Sequence, residues 1–182
     1  LIAMHGVCIV GLGGYANVHA RELQRSKRAR LLFSSRDAAK AKDFAGKYEG
    51  EPVGILEEVL KRKDVDAVVL CGPHDLHVTE ARAALAAGKN VLLEKPMART
   101  SAEARRILAA LKPGGARFML AENYAFLPHL PILSDALARI GAPKNILARH
   151  WRRYRPVGWR LKLEQMGGGV LEAGKIVILQ GV

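Results

Sequence analysis

Short apolar runs alternate with helix-like apolar spacing along the first two thirds of the chain. The runs VCIV, ARLLFSS, DAVVLCG, NVLLE and ARFMLAE predict buried strands. Apolar residues recur at helical spacing in ANVHARELQRS, DAAKAKDFAGKY, ILEEVLKRK, HVTEARAALAAG and, behind a TSAE capping box, ARRILAALK. Strands separated by helices of this length are joined in parallel by right-handed crossovers. The pattern therefore predicts an α/β fold with an open, doubly wound parallel sheet.

Two stretches stand outside this alternation. YEGEPVG predicts a loop and LPHLPILSDALARIGAPK predicts a helix, and neither indicates a chemistry.

The chain has 182 residues, of which 49% are hydrophobic and 25% charged, so we expect one good core and part of a second. Cys8 and Cys71 lie in apolar runs without metal-ligand spacing, which favours buried free thiols and no metal site.

The charge is strongly positive. Lys and Arg number 29 against 17 Asp and Glu, a formal net charge of +12, which favours an anionic partner such as a nucleic acid, a nucleotide or an acidic metabolite. The segment ARHWRRYRPVGWRLK places arginines between aromatic residues and could stack on bases. A partly exposed strand and loop with solvated or paired arginines explains it more simply, and nucleic acid is therefore not the expected partner.

Two features of the sequence bear on where the protein is located. No apolar segment is long enough to span a bilayer, and LIAMHGVCIV lacks the basic start of a signal peptide. The sequence thus predicts a cytoplasmic protein with no membrane partner.

Unusual residues follow each predicted strand, where the ligands of such sheets gather. After the first strand, Gly11, Gly13 and Ala16 form a G-x-G-x-x-A pattern directly before a helix. Gly11 would allow the tight turn, Gly13 would let the backbone approach a pyrophosphate, and Ala16 would let the helix pack closely. The pattern is typical of a dinucleotide site, although glycines at such a turn are also found for structural reasons alone.

The second predicted strand ends in Ser34, Ser35 and Arg36, where an acidic residue would bind the ribose hydroxyls of NAD. A hydroxyl and a guanidinium can hold a 2′-phosphate by charge-assisted hydrogen bonds. This favours NADP, with NAD as the alternative. In the competing interpretation Arg36 points into solvent and Asp37 simply caps the next helix.

The fourth run stops on Glu94, Lys95 and Pro96, beside the expected position of a nicotinamide. A partly desolvated lysine can exchange a proton with a substrate hydroxyl or carbonyl, and Glu94 could orient it. An exposed Lys-Pro turn is the alternative for the tripeptide taken alone.

Several motifs in order resemble the glucose-fructose oxidoreductase, inositol dehydrogenase and MocA (Gfo/Idh/MocA) family. They are GLGGYANVH, DAVVLCGPHDLHVTEARAALAAGKNVLLEKPMA, AENYAF, GWR and GGG. The resemblance implies a Rossmann domain over residues 1–122 and part of a second domain over 123–182. It also implies an NAD(P)-dependent oxidoreductase of sugars, polyols or related carbonyl compounds, with Lys95 as the catalytic lysine.

The same resemblance implies the residues that contact the cofactor. They are Gly11, Gly13, Gly14, Tyr15, Ala16, Ser35, Arg36, Lys40, Gly72, Pro73, His74, His77, Glu94, Lys95, Asn123, Trp159 and Arg160. His74 stands where the family more usually has asparagine, a change that keeps hydrogen-bonding ability.

The carboxyl end departs from the family pattern. With one residue deleted, Glu172 takes the aspartate place of the family's Asp-x-Gly-x-His motif and is a second candidate for proton transfer, but Ile176 occupies the histidine place. The family's large antiparallel sheet, which closes the substrate pocket and forms the oligomer interface, would lie beyond this segment. An enzyme, a non-catalytic NADP-binding module and a binder of nucleic acids or acidic surfaces all remain open, and a homo-oligomer is expected if that sheet is present.

Overall fold

Six parallel strands form the sheet at the centre of the described residues, which are 4–141 and 157–166 of a computed structural model. The strands are β1 (His5–Val10), β2 (Ala29–Ser34), β3 (Glu51–Val53), β4 (Ala67–Leu70), β5 (Asn90–Leu93) and β6 (Phe118–Leu120). Their order is β3-β2-β1-β4-β5-β6, so the chain winds outward in both directions from the β1/β4 pair. The predicted doubly wound sheet is confirmed, and its switch point lies between β1 and β4.

Helices cover both faces of this sheet. They are α1 (Gly14–Ser26), α2 (Ala38–Tyr48), α3 (Leu56–Lys61), α4 (His77–Ala86) and α5 (Ser101–Leu108), and α6 (His129–Ile140) follows the sheet. Short 3-10 turns occupy Asn123–Phe126, Gly158–Leu161 and Leu163–Gln165. Across the described ranges, no helix is both long and apolar enough to cross a membrane.

The two-residue period of β1 divides the core into two clusters. Val7 and Ile9 face the side covered by α1 and α2, with Phe33 among their neighbours. Cys8 and Val10 face the opposite side, which is covered by α3, α4 and α5. Both sides of the sheet are buried, which explains why its strands read as solid apolar runs rather than as an alternation.

The loop predicted for YEGEPVG is wrong, because Glu51–Val53 forms the edge strand β3. It pairs in parallel with Leu32–Ser34 of β2. Pro52 cannot donate to a ladder, and the outer position of β3 tolerates it. The three residues carry too short a pattern to predict a strand, and β2 supplies the template instead.

One helix start and one capping contact also differ from the sequence prediction. The first helix begins at Gly14 rather than at 16, because Gly13 keeps an extended conformation as its N-cap. At the capping box, Thr100 accepts a hydrogen bond from the Glu103 N–H as predicted, but the Glu103 carboxylate accepts from the Arg99 N–H and not from the cap residue. The predicted helix in LPHLPILSDALARIGAPK is confirmed as α6.

Asp37 caps α2, and its removal gives a first testable expectation. Its Oδ1 accepts hydrogen bonds from the N–H groups of Ala39 (3.0 Å) and Lys40 (3.2 Å). We expect Asp37→Ala to lower the free energy of unfolding by about 1 kcal/mol, while Asp37→Asn loses much less because the amide oxygen still accepts. Urea unfolding at neutral pH measures both, and equal stability of Asp37→Ala and wild type would contradict the capping role.

Candidate functional site

The carboxyl ends of β1, β2, β4 and β5 open onto one edge of the sheet, where two cavities meet. A cleft of about 610 Å³ runs between the end of β2 and α4, and Gly11, Ser35, Arg36, Lys40 and Pro73 lie along it. A smaller cavity of about 40 Å³ lies on the β5 side of the switch point. Gly72 lines both, so the two cavities adjoin at the β1/β4 switch point, and together they are called the groove.

The glycine turn after β1 divides into a packed part and an open part. Gly11 has φ +83°, and a Cβ there would lie 2.6 Å from the backbone nitrogen of Gly72. A Cβ at Gly13 or Gly14 would meet no other part of the described chain within 4 Å. Gly11 therefore lets two strand ends touch, whereas Gly13 and Gly14 leave a bare backbone facing the groove.

The amino terminus of α1 completes this open part. Within the described chain, Gly13 offers no side-chain cap and the first turn of α1 has no acidic residue. The first backbone N–H groups of a helix have no intrahelical acceptor, and the helix dipole favours an anion beside them. This cradle fits the pyrophosphate of a dinucleotide.

Ala16 lies beneath the cradle and not on its surface. Its side chain is completely buried and packs in the core between α1 and the sheet. Its small size permits the close approach of helix and strand that the sequence predicts, without direct contact to the groove.

Cationic side chains flank the far end of the larger cleft. Arg36 and Lys40 line it and are exposed. Ser35 is half-buried and its hydroxyl accepts from the Asp37 N–H at 3.1 Å, which orders the turn that carries Arg36. Asp37 thus caps α2 and Arg36 still faces the cleft, so the two competing interpretations of this turn are compatible.

Glu94 and Lys95 lie at the opposite end of the groove. Glu94 is buried, its Oε1 lies 2.7 Å from His19 Nε2, and its Oε2 accepts from the Lys95 N–H at 3.3 Å. Lys95 is half-buried beside the small cavity, with Nζ 5.8 Å from the centre of the Tyr15 ring. The pair of contacts holds the carboxylate behind the lysine and leaves the ammonium group on the cavity side.

His19 is a site residue that the sequence prediction did not include. It stands four residues after Tyr15 on α1, so the helical period brings it to the same end of the groove. The spacing was available in the sequence, but its partner Glu94 is 75 residues away and only the fold reveals the pair.

His74 and His77 behave differently from each other. His74 is buried yet lines the small cavity, and its ring stands nearly perpendicular to that of Trp159 at 4.6 Å between centres. His77 is completely buried below the cavity, with Nδ1 2.8 Å from the Pro96 carbonyl oxygen and Nε2 3.2 Å from that of Gly72. Burial lowers the pKa of His77. The neutral ring has a single N–H, so it donates to one of these two carbonyls, and His77 lines neither cavity.

Trp159 and Arg160 close the small cavity from above. Both line it, and the Arg160 guanidinium carbon lies 4.4 Å from the centre of the Trp159 ring. The basic aromatic segment thus brings at least these two residues to the groove. Its residues 148–156 lie outside the described ranges.

Besides Ala16 and His77, one more predicted cofactor residue of the described ranges does not line the groove. Asn123 is exposed at the start of a 3-10 turn after β6 and lines neither cavity. Glu172 and Ile176 lie outside the described residues. The described ranges also hold no group of three His, Cys, Asp or Glu residues placed to bind a metal ion.

Glu80 of α4 is a second residue that the sequence prediction missed. It lines the larger cleft, and its Oε2 atom is buried with no hydrogen-bond partner among the described residues. Burial raises the pKa of Glu80 to about 7, and the nearby Arg36 opposes the rise.

Burial likewise raises the pKa of the Cys71 thiol, with Glu94 and Glu80 adding to the effect, so this thiol stays protonated and inert at neutral pH.

Residues 5–122 match the GFO_IDH_MocA family model, which is described as an oxidoreductase family with an NAD-binding Rossmann fold. The chain belongs to the Gfo/Idh/MocA family. The match includes every strand of the sheet and the groove residues from Gly11 to Lys95. The resemblance seen in the motifs is therefore confirmed.

Named members of the Gfo/Idh/MocA family are similar over most of this chain. Trans-1,2-dihydrobenzene-1,2-diol dehydrogenase from Bos taurus is 32% identical over 157 residues, which are 85% of this chain and 47% of that protein. The solved structure of KijD10, a 3-ketoreductase from Actinomadura kijaniata in complex with NADP and TDP-benzene, has a TM-score of 0.70 at 30% identity and covers 75% of this chain and 42% of its own. GenD2 from gentamicin A biosynthesis, in complex with NAD, gives the same TM-score and identity, with 75% of this chain and 40% of its own covered. The chain thus spans about half the length of the curated relatives it matches.

Proposed function

We propose that this chain carries the cofactor site of an NADP-preferring oxidoreductase, which transfers hydride to or from a sugar, a polyol or a related carbonyl compound. The observation that carries the proposal is a pair of adjoining cavities at the switch point, with two cations in the larger one and a lysine in the smaller one. Arg36 and Lys40 flank the end where the adenosine would lie, and Lys95 stands at the end beyond the glycine turn. Similar proteins that act on dihydrodiols and ketosugars support the substrate class.

Different residues of the groove would bind different parts of the cofactor. The bare backbone at Gly13 and Gly14 and the amino terminus of α1 would hold the pyrophosphate. Ser35, Arg36 and Lys40 would hold a 2′-phosphate, for which a guanidinium fork is well suited. Trp159 would cover the far end of the groove and exclude water from it, since it lies against His74 above the small cavity.

Lys95 is the residue that we expect to move the substrate proton. The nicotinamide supplies the hydride acceptor or donor when the cofactor is bound. In the oxidative direction the unprotonated amine of Lys95 would accept the substrate hydroxyl proton as the C–H hydride leaves, and in the reductive direction the ammonium form would protonate the new alkoxide and become the amine. Glu94, held by His19, fixes the lysine backbone behind this exchange. Glu172 remains a second proposed proton-transfer residue.

The proposal predicts a preference between nucleotides that depends on Arg36. We expect the wild-type protein to bind NADPH more tightly than NADH in calorimetric titrations at one moderate salt concentration. Arg36→Ala should weaken NADPH binding by about tenfold to a hundredfold and leave NADH binding nearly unchanged, because only the charge-assisted bonds to phosphate are lost.

Arg25→Ala is the matched control for Arg36→Ala. It also removes one arginine from an exposed position, but Arg25 pairs with Glu22 on α1 and does not line the cleft. If the two variants bind NADPH equally well, the effect is one of net charge and the assignment of Arg36 fails. If wild type binds neither nucleotide, the proposed cofactor site fails altogether.

A further inference from the structure

Glu80 puts a carboxylate into the cleft that we assign to the adenosine end. It stands on α4, across the cleft from Arg36, and both residues line it. A Cβ placed on Gly72 would lie 3.4 Å from Glu80 Oε2, so this oxygen points to the end of β4. The same oxygen is buried and, within the described residues, has no hydrogen-bond partner. A buried carboxylate oxygen without a donor is costly, and its place in a binding cleft indicates a functional role.

The charges that face Glu80 come from four parts of the fold. Burial raises the pKa of Glu80 to about 7, Arg36 after β2 lowers it, and Glu57 of α3 and Asp75 of the turn before α4 raise it. Lys40 of α2 lines the same cleft. Because burial raises the pKa of Glu80 toward neutrality, a charge added in the cleft shifts its protonation in this pH range.

A phosphate group bound at Arg36 would add such a charge. It brings nearly two negative charges at neutral pH and occupies the guanidinium that otherwise favours the Glu80 carboxylate. Both effects disfavour ionised Glu80. NAD has a ribose hydroxyl at this place and would add no charge there.

We propose that Glu80 is a specificity residue of the site, whose protonation is coupled to binding of the 2′-phosphate of NADP. The inference rests on the proposed cofactor site and adds a consequence to it. With Glu80 protonated, NADP binds readily in the cleft. With Glu80 ionised, the two negative charges disfavour each other, so the preference for NADP over NAD becomes smaller. The selectivity of the chain for NADP over NAD therefore falls as pH rises through neutrality.

Proton uptake by the wild-type protein tests this coupling without any substitution. NADP⁺ and NAD⁺ are titrated calorimetrically at pH 7.5 in buffers of different ionisation heat, which reports the protons taken up per nucleotide bound. We expect NADP⁺ to bring in roughly half a proton more than NAD⁺. The 2′-phosphate is almost fully ionised at this pH, so it contributes little itself. Equal uptake for the two nucleotides overturns the inference.

Glu80→Gln identifies the group responsible. This variant should bind NADP⁺ as wild type does at pH 6 and roughly tenfold more tightly than wild type at pH 8.5, because the amide cannot ionise. Its NAD⁺ affinity should change little at either pH. Glu57→Gln is the comparison variant, since Glu57 lines the same cleft but is exposed. It acts on NADP⁺ binding only weakly and partly through Glu80, so its effect should be clearly smaller than that of Glu80→Gln.

The outcomes separate the two proposals. Identical pH profiles of NADP⁺ binding in wild type and Glu80→Gln overturn the role of Glu80 and leave the cofactor site in place. An effect of Glu57→Gln as large as that of Glu80→Gln also overturns it, since general cleft charge then explains the data. Failure of every variant and of wild type to bind either nucleotide overturns the cofactor site and this inference with it. If Glu80→Gln does not fold, the proton count on wild type still decides.

Discussion

Replacing Lys95 by alanine is expected to lower kcat by about 10²–10⁴-fold while the affinity for NADPH changes little. The ammonium group faces the small cavity beside Tyr15, where it can reach a substrate oxygen, whereas the cradle and the cationic end that would hold the nucleotide are elsewhere in the groove. Turnover is followed by the loss of NADPH absorbance with any sugar ketone, aldehyde or other carbonyl compound that the wild-type protein reduces, and affinity by calorimetry.

Lys95→Arg is the informative companion variant. Arginine keeps the positive charge but holds its proton too tightly to exchange it at neutral pH. If proton exchange is the role of Lys95, Lys95→Arg should lose turnover almost as completely as Lys95→Ala. If only the charge matters, Lys95→Arg should recover most of the activity, and the proton-transfer role would be wrong. Unchanged turnover in Lys95→Ala would remove the residue from the mechanism.

The second large effect concerns the glycine turn, where two alanine substitutions should fail in different ways. Gly11→Ala places a Cβ 2.6 Å from the Gly72 nitrogen at a positive φ, so the protein must distort two strand ends. We expect a loss of about 3 kcal/mol in the free energy of unfolding, from the left-handed backbone and the clash together. Urea unfolding measures this loss directly.

Gly13→Ala should leave the free energy of unfolding nearly unchanged and lower the affinity for NADPH instead. Its extended conformation suits alanine and its Cβ would meet no other part of the described chain within 4 Å, so the free energy of unfolding should fall by less than about 1 kcal/mol. The same methyl group would stand where the pyrophosphate approaches, and we expect NADPH affinity to fall by at least roughly tenfold. A stable Gly13→Ala protein with wild-type affinity would show that the cradle does not bind the nucleotide.

The sheet was predictable because its four inner strands, β2, β1, β4 and β5, are mostly buried on both faces. Solid apolar runs such as VCIV and DAVVLCG are typical of strands buried in this way. In the intervening helices the apolar residues recur at helical spacing. β3 escaped prediction because its residues are held by the edge of β2 rather than by a pattern of their own. Helix starts were off by two residues at α1 because an uncapped glycine start has no side-chain signal.

The candidate site was predictable only where local motifs carry it. The glycine turn, Arg36 and Lys95 each follow a predicted strand, and strand order alone brings them to one edge of the sheet. His77 illustrates the limit: its place in the motif indicates a cofactor contact, whereas its buried ring lies against the backbone carbonyls of Pro96 and Gly72. Motif position specifies a neighbourhood, and the direction of a side chain depends on its packing.

The sequence by itself determined the parallel sheet, the family and the three strand ends that carry the chemistry, because these depend on periodicity and on residues close together in the chain. Tertiary structure alone decided the pairing of His19 with Glu94, the closure of the small cavity by Trp159 and the burial of Glu80 opposite Arg36. Each of these joins residues from separate elements, and the protonation of Glu80 depends on how much water the fold removes from it. Burial and long-range contact are properties of the folded chain, and no local pattern in the sequence encodes them.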